Sequence, residues 1–338
     1  MKISVIIPNW NGLVYLGTCL ESLKKQTYPD FEVIVVDNGS TDGSVSFIKA
    51  RYSSFVRLIE LPENTGFDRA TNIGIAQASG EFIATLNNDT EADPRWLQEL
   101  IKGMDHQEQV GMCASKILFF HQRHIIDKVG HLFYPDGQNR GRGCMEEDRG
   151  QYNEIEEVFF PDACAALYRK EMLEEVGLFD EDFFAYGDDA ELGFRARLFG
   201  WKCIYIPTAI VYHIHSGSSG PYAPDKIFLV ERNRLWLALK LLPWPLLLLN
   251  PYYTAIRYFW HIYSGLFGVG SVGRFVEQYS TYQVIKTLIK AYISTVQGLR
   301  NILRKRWEVQ KKKKVLDREI YQWIRKYRIK ARELALRD

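Results

Sequence analysis

The side chains that could do chemistry follow directly after apolar runs of the sequence, as in L-N-N-D-T at residues 86–90. The run over residues 81–86 predicts a buried strand that stops at Asn87. Asp93 followed by proline predicts the N-cap and the first turn of a helix. This turn from strand to helix explains Asp93, but it leaves Asp89 without a structural role. Carboxylate oxygens are ligands suited to a hard divalent cation. Asp89 therefore predicts a metal site that could bind a diphosphate.

Three more strand-like runs in the first hundred residues also end in polar side chains. The four runs occupy residues 3–7, 31–36, 56–61 and 82–86, and helix-like stretches occupy residues 14–26, 43–51, 67–78 and 94–104. This alternation predicts a mostly parallel sheet flanked by helices. Because ligands bind at the carboxyl ends of such strands, we expect the four polar ends to line one crevice.

The glycine pattern of this crevice excludes two kinds of nucleotide chemistry. No G-x-G-x-x-G follows the first run and no G-x-x-x-x-G-K-[ST] occurs in the sequence. Hydride transfer and P-loop phosphoryl transfer are therefore disfavoured. Asp37, after the second run, could instead accept a hydrogen bond from the N3–H of a pyrimidine base.

A second acidic pair lies in F-F-A-Y-G-D-D-A-E-L, which begins at residue 183. The pattern predicts a helix from Ala190 to a stop at Gly200, with Asp188 and Asp189 at its N-terminus. The helix dipole favours carboxylates at that end, so the pair has either a structural or a catalytic role.

Composition predicts an ordinary folded protein with an uneven charge. Hydrophobic residues make up 46% and charged residues 25% of 338. Five scattered cysteines without a C-x-x-C pair argue against a disulfide framework or a structural zinc site and favour a reducing cytosol. The N-terminus enters a strand pattern without a small-residue cleavage site, so no signal peptide is expected. From Lys286 onward, 17 Lys and Arg face 5 Asp and Glu, which gives +12 and predicts an anionic partner surface.

The C-terminal part has long apolar stretches. Residues 241–249 are apolar but broken by prolines and too short to span a bilayer. Residues 284–303 predict a basic amphipathic helix that could lie on an anionic membrane; the alternative is packing on the globular domain or in a homo-oligomer. Nucleic acid is disfavoured because no binding motif accompanies the basic residues. The Gly- and Arg-rich residues 138–143 predict a mobile loop.

Taken in order, these motifs resemble family 2 inverting glycosyltransferases with the Rossmann-like GT-A fold. The matching segments are V-I-I-P-N-W-N-G from Val5, V-V-D-N-G-S-T-D-G from Val35, E-N-T-G-F from Glu63, L-N-N-D-T from Leu86, D-D-A-E-L from Asp188 and V-Y-H from Val211. We therefore predict a catalytic domain over residues 1–235 and a helical, membrane-associating extension over residues 236–338.

The resemblance implies roles for particular residues. Asn87-Asn88-Asp89 occupies the place of the family's D-x-D motif, so Asp89 would bind Mg²⁺ or Mn²⁺, with His213 as a further ligand. Asp189 matches the general base, and Asp188 and Glu191 would support it in a D-D-A-E that replaces the usual E-D-x-D. The nucleotide is predicted to contact Pro8, Asn9, Asn11, Asp37, Asn38, Ser40, Asn64, Gly66 and Asn88. Arg232 and Asn233 are candidates for the acceptor diphosphate, with a surface arginine on a helix as the alternative.

The resemblance also implies partners. Bacterial relatives with these motifs are often rhamnosyltransferases, so we expect dTDP-rhamnose as donor and a lipid-diphosphate-linked saccharide as acceptor, at the cytoplasmic face of the membrane. A UDP-hexose or UDP-N-acetylhexosamine transferase for capsule, O-antigen or wall polymer is the alternative. A membrane-bound scaffold with a noncatalytic nucleotide-sugar pocket is the alternative of another class.

Overall fold

The computed structural model describes residues 2–104, 109–214, 224–270 and 280–336, which divide into two units. The first unit contains residues 1–130 and 141–220, and the second contains residues 131–140 and 221–338. The boundary predicted at residue 235 falls inside one continuous helix, Pro224–Leu241, so the division comes before that helix. A short insertion, residues 131–140, also belongs to the second unit although it lies far earlier in the sequence.

The four apolar runs form parallel strands, as predicted. They are β1 (Ile3–Asn9), β2 (Phe31–Asn38), β3 (Val56–Leu61) and β4 (Phe82–Leu86). β1 lies between β2 and β4, and β2 pairs with β3, all in parallel. β1, β2 and β4 are mostly buried, as strands covered on both faces are, whereas β3 at the edge has exposed charged residues.

The remaining strands extend the same sheet beyond β4. They are β5 (Thr90–Ala92), β6 (Val110–Phe119), β7 (Ile126–Lys128), β10 (Glu156–Val158), β11 (Ala165–Arg169) and β12 (Lys202–His213), with β8 (His131–Phe133) and β9 (Asn139–Gly141) forming a separate pair. Among the described residues the order is β10-β12-β6-β11-β4-β1-β2-β3, with β5 on β12 and β7 on β6. β11 runs antiparallel between β4 and β6, whereas β6 and β12 are parallel. The predicted mostly parallel sheet is confirmed.

Helices cover both faces of this sheet. They are α1 (Leu13–Lys24), α2 (Ser44–Arg51), α3 (Phe67–Ala76), α4 (Trp96–Met104), α5 (Lys170–Val176) and α6 (Asp188–Leu198), with a 3₁₀ turn at Glu181–Phe183. Ile3 and Val5 of β1 join the core that contains Trp96 of α4. Ile6 points to the other face, where a Cβ on Gly74 of α3 would lie 2.5 Å from its Cγ2. Side chains therefore alternate between two helical layers.

The second unit is built from helices. They are α7 (Pro224–Leu241), α8 (Trp244–Phe267), α9 (Thr281–Gln297), α10 (Leu299–Lys312), α11 (Asp317–Lys326) and α12 (Ala331–Leu336). The sequence predicts a mobile loop over residues 138–143, but Asn139–Gly141 within them form β9, which pairs with β8. Tyr134 N donates to the carbonyl of Gln138 (2.7 Å), so this stretch starts as an ordered hairpin. Within the described ranges, no helix combines the length and apolar character needed to cross a membrane.

Buried charges join the elements of the second unit. Arg257 of α8 donates from Nε to Asp136 Oδ2 (2.6 Å) and from Nη2 to Glu231 Oε2 (3.0 Å). Arg234 of α7 also pairs with Glu231. All four side chains are buried, and their opposite charges satisfy one another. This network fixes which side of α8 faces the interior of the unit.

Candidate active site

The polar ends of β1, β2 and β4 are joined by hydrogen bonds between buried side chains. Asn9 Nδ2 donates to Asp37 Oδ2 (2.8 Å), and Asn88 Nδ2 donates to Asn9 Oδ1 (2.7 Å). Asp37 Oδ1 accepts from Ser40 N (2.9 Å), which shapes the loop after β2. The parallel strands bring these four residues to one edge of the sheet, as the sequence predicts.

The other predicted nucleotide residues surround this group. Asn38 Nδ2 donates to Asn64 Oδ1 (3.0 Å) and to the carbonyl of Gly66 (3.0 Å), so the ends of β2 and β3 are also linked. Asn11 is exposed, has a positive φ of 50°, and accepts from Thr41 N (2.8 Å). Pro8 lies half-buried within β1.

Asp37 is only 1% exposed, and its two oxygens accept hydrogen bonds from Asn9 at the end of β1 and from Ser40 N in the loop after β2. Its carboxylate therefore orders the strand ends, while its contact with a nucleobase stays a prediction.

His213 lies between two carboxylates. β12 pairs antiparallel with β5, so that His213 stands opposite Thr90 and beside Asp89. The Nε2 atom of His213 is 3.3 Å from Asp89 Oδ1, and its Nδ1 atom is 2.7 Å from Asp127 Oδ2. All three side chains are buried. In metal sites a ligating histidine usually binds a carboxylate through one ring nitrogen and the metal through the other. His213 has this arrangement, with Nδ1 on Asp127 and Nε2 near Asp89.

The electrostatics of His213 also fit a cation. Burial alone would lower the pKa of His213, but the neighbouring Cys164 and the hydrogen bonds with Asp127 and Asp89 hold that pKa well above its usual value. The surroundings of His213 therefore stabilise a positive charge on the ring, next to the Asp89 carboxylate. A divalent cation bound there would replace this proton, so Asp89 and His213 fit the predicted metal.

The motif analysis did not identify Asp127. This residue is the centre of β7, a strand of three residues paired with β6, in the part of the chain where no apolar periodicity stands out. A carboxylate in so short a strand carries no sequence signal, because its position depends on a long-range pairing.

Asp162 connects the Asp89 region with the N-terminus of α6. Asp162 Oδ1 accepts from Cys164 N (2.8 Å), and the carbonyl of Cys164 accepts from Asn87 N (2.9 Å) at the end of β4. The other oxygen of Asp162 pairs with Lys128 Nζ (2.5 Å). Ligand oxygens of Asp162 and Asp189 lie within 4.8 Å of each other. The two acidic centres predicted from sequence are thus linked within one unit, and Asp162 and Lys128 are additional residues of the site.

Asp188 and Asp189 begin α6, two residues earlier than the sequence predicted. Gly187 precedes them with φ 77°, and Asp189 Oδ1 accepts from Ala190 N (2.7 Å). Burial and the neighbouring Asp189 raise the pKa of Asp188 well above its usual range. Asp188 lies buried, whereas Asp189 is half-buried. Of the two, Asp189 is therefore the more accessible to a substrate.

Glu191 acts through Arg195. Its two oxygens accept from Arg195 Nε (2.9 Å) and Nη2 (2.7 Å), and the same guanidinium donates to the carbonyls of Gly177 (2.9 Å) and Leu178 (2.7 Å). Glu191 thereby fixes α6 to the segment after α5. These contacts hold the helix that carries Asp189, and the support of Glu191 for the base stays a prediction.

Arg232 and Asn233 lie on α7, in the second unit. Arg232 Nε donates to Asn233 Oδ1 (2.9 Å), and its guanidinium stacks 4.2 Å from the ring centroid of Trp236. Asn233 is buried. These contacts within one helix hold the Arg232 side chain, and its role toward an acceptor stays a prediction.

Comparison with known proteins gives consistent matches. The sequence model of the family described as "Glycosyl transferase family 2" matches residues 4–177 of this chain. The O-antigen biosynthesis protein RfbC of Myxococcus xanthus is 30% identical over 64% of this chain and 18% of its own length. An N-acetylglucosaminyl-diphospho-decaprenol L-rhamnosyltransferase of Mycobacterium tuberculosis is 27% identical over 66% of this chain and 82% of its own.

A solved structure matches at the level of the fold. The mannosyltransferase of Pyrobaculum calidifontis, in complex with GDP-Man and Mn²⁺, aligns with a TM-score of 0.54 and 18% identity over 87% of each chain. This agrees with the predicted GT-A fold. The matched segments span 18%, 25% and 31% of the length of three curated relatives.

Proposed function

Because the chain belongs to glycosyl transferase family 2, we propose that it transfers a sugar from a nucleotide-sugar donor to a saccharide acceptor with inversion of configuration. The observation that carries the proposal is His213 held between Asp89 and Asp127. This group is connected through Cys164 and Asp162 to Asp189. One acidic centre suits the departing diphosphate, and the other suits the incoming hydroxyl.

Asp189 would act as the general base. As an acceptor oxygen bonds to the anomeric carbon, its proton passes to the Asp189 carboxylate, and the bond from that carbon to the diphosphate oxygen breaks with its electron pair. A single base opposite the leaving group gives inversion in one displacement. The half-buried Asp189 at the start of α6 suits this role, since its partner Asp188 is buried.

Asp89 and His213 would hold Mg²⁺ or Mn²⁺, with Asp127 fixing the ring of His213 through its Nδ1 atom. When bound, the ion would supply positive charge that stabilises the departing diphosphate. Asn88, Asn9 and Asp37 would shape this end of the site, because their hydrogen bonds fix the strand ends against one another.

For the donor and acceptor we favour dTDP-rhamnose and a lipid-diphosphate-linked saccharide, in the synthesis of a cell-surface polysaccharide. The support is the names of two relatives, a rhamnosyltransferase whose acceptor is a decaprenol-linked diphosphate sugar and an O-antigen biosynthesis protein. A UDP-hexose or UDP-N-acetylhexosamine donor is the alternative that the test must separate.

A donor screen by thermal shift tests this proposal. We expect one class of nucleotide-sugar to raise the Tm in the presence of Mn²⁺, and a ligand at about 100 times its Kd adds about 2.7 kcal/mol of stability. Asp89→Asn should abolish the part of the shift that depends on Mn²⁺. Glu91→Gln is the matched control, because the carboxylate of Glu91 pairs with Arg123 in the turn between β6 and β7.

Two outcomes would count against it. If no dTDP- or UDP-sugar raises the Tm with or without Mn²⁺, the proposed donor site is absent. If a donor binds but no sugar reaches a lipid-diphosphate acceptor, the noncatalytic scaffold becomes the better description.

A further inference from the structure

Helix α8 buries several polar side chains and exposes several large apolar ones. Its buried residues include Asn250, Thr254, Arg257 and Ser264. Leu248 is 80% exposed and Leu266 is 78% exposed. A helix on the water-facing surface of a protein normally shows the reverse arrangement. The inward orientation of Arg257 is fixed by Asp136 and Glu231, so this arrangement is built into the fold of the second unit.

Helix α9 repeats this feature. Ala291 and Thr295 are buried, whereas Ile285, Ile289 and Ile293 are each more than half exposed. Part of the apolar stripe predicted from the sequence therefore points outward, whereas Val284 and Leu288 of the same stripe are half-buried and Ile302 is buried. The alternative in which the stripe packs on the protein does not apply to Ile285, Ile289 and Ile293, which are exposed.

Exposed apolar side chains on this scale are concentrated in the second unit. We use the name "apolar surface" for Leu248, Tyr252, Phe259, Ile262 and Leu266 of α8 with Ile285, Ile289, Ile293 and Val296 of α9. In the first unit, single exposed residues such as Val14 and Trp10 occur instead. Large exposed apolar patches mark sites that meet another apolar phase, whereas scattered residues need no explanation.

The charge around the apolar surface indicates which phase this is. Lys286 and Lys290 on α9 and Arg300 and Arg304 just beyond it are exposed, and the chain from Lys286 onward carries 17 basic against 5 acidic residues. Apolar side chains bordered by basic ones match the acyl and headgroup layers of an anionic leaflet. A second copy of this chain would bring the same positive charge against itself, which disfavours self-association.

We propose that the apolar surface of α8 and α9 docks in the plane of an anionic lipid leaflet, as a preformed element that needs no folding on contact. The inference concerns the second unit alone and does not depend on the sugar that the enzyme transfers. Docking would give the protein a peripheral position at the membrane.

Vesicle flotation of the full chain tests this. We expect the protein to float with vesicles of phosphatidylcholine and phosphatidylglycerol and to remain at the bottom of the gradient with vesicles of phosphatidylcholine alone. Rising salt should release the protein from the anionic vesicles. The double variant Leu248→Glu and Leu266→Glu, and separately Ile289→Glu with Ile293→Glu, should each reduce vesicle partition at least about 10-fold, since each places charge in the acyl layer. Val14→Glu, at an apolar position of the first unit that is 85% exposed, is the control and should float like the unaltered chain.

All four substituted positions are exposed, so the melting temperature should remain that of the unaltered protein, and this is checked first. The proposal is overturned if the unaltered chain does not float with anionic vesicles, or if both double variants float as it does. It is also overturned if light scattering without lipid shows a dimer that the same variants dissociate, because the occupant would then be a second copy.

Discussion

Replacing Asp189 with Asn should lower turnover by about 10²-fold or more while leaving donor affinity nearly unchanged, because the amide cannot accept the acceptor proton. Asp189 stands at the start of α6, and its own carboxylate accepts from Ala190 N, so an isosteric amide disturbs little else. The measurement is kcat with saturating donor and acceptor, together with the donor Kd from calorimetry.

Asp182→Asn is the matched control for this variant. It makes the same carboxylate-to-amide change in the 3₁₀ turn that precedes α6, and its turnover should stay close to that of the unaltered enzyme. Turnover of Asp189→Asn within a few-fold of the unaltered enzyme would contradict the assigned base. A loss of donor affinity in parallel with turnover would instead indicate a collapsed site.

The second large effect is expected from Asp127→Asn, which should weaken Mn²⁺ binding by about 10- to 100-fold. Asp127 lies 2.7 Å from Nδ1 of His213, so its charge fixes the ring and keeps Nε2 directed toward Asp89. An asparagine fills the same space but loses the charge. The measurement is a Mn²⁺ titration followed by electron paramagnetic resonance, which reports binding without any turnover.

Asp148→Asn provides the comparison. The carboxylate of Asp148 pairs with Lys116 Nζ (2.8 Å), so this variant also breaks an ion pair of the first unit. Its Mn²⁺ affinity should match that of the unaltered chain. Equal affinities of all three proteins would show that Asp127 has no influence on the metal site.

The first half of the sheet could be predicted because its signal is local. β1, β2 and β4 are largely buried and therefore appear as nearly continuous apolar runs, whereas β3 lies at the edge of the sheet and includes the exposed Arg57 and Glu60. The observed bounds of all four strands lie close to the predicted ones. Once the strands are known to be parallel, their polar ends must share an edge. The bonds from Asn9 to Asp37 and from Asn88 to Asn9 follow from that geometry.

The second half of the site depends on pairings that no local pattern encodes. Asp127 and Lys128 come from a strand of three residues, and Asp162 precedes β11, which inserts antiparallel between β4 and β6. The sequence shows no periodicity from which these positions could be placed. Lys128 and Asp162 can be assigned to the site only when the pairing of β11 with β4 is known, because that pairing places Cys164 next to Asn87.

The C-terminal helices show a different limit of sequence patterns. Periodicity identified the apolar stripe of α9 but could not decide whether it faces protein or solvent. The structure decides this through Ala291 and Thr295, which occupy the packed face. In α8 the inward direction of Arg257 depends on Asp136, a residue more than a hundred positions away in the sequence.

The location of bound Mn²⁺ tests the central claim most directly. A crystal of the protein soaked with Mn²⁺ and a nucleoside diphosphate, measured at the manganese absorption edge, locates the ion by its anomalous signal. We predict one peak at coordination distance from Asp89 Oδ1 and His213 Nε2, with Asp189 outside the coordination sphere of the ion. A peak held instead by Asp162 and Asp189, whose ligand oxygens lie within 4.8 Å of each other, would make Asp189 a metal ligand and contradict its role as the base.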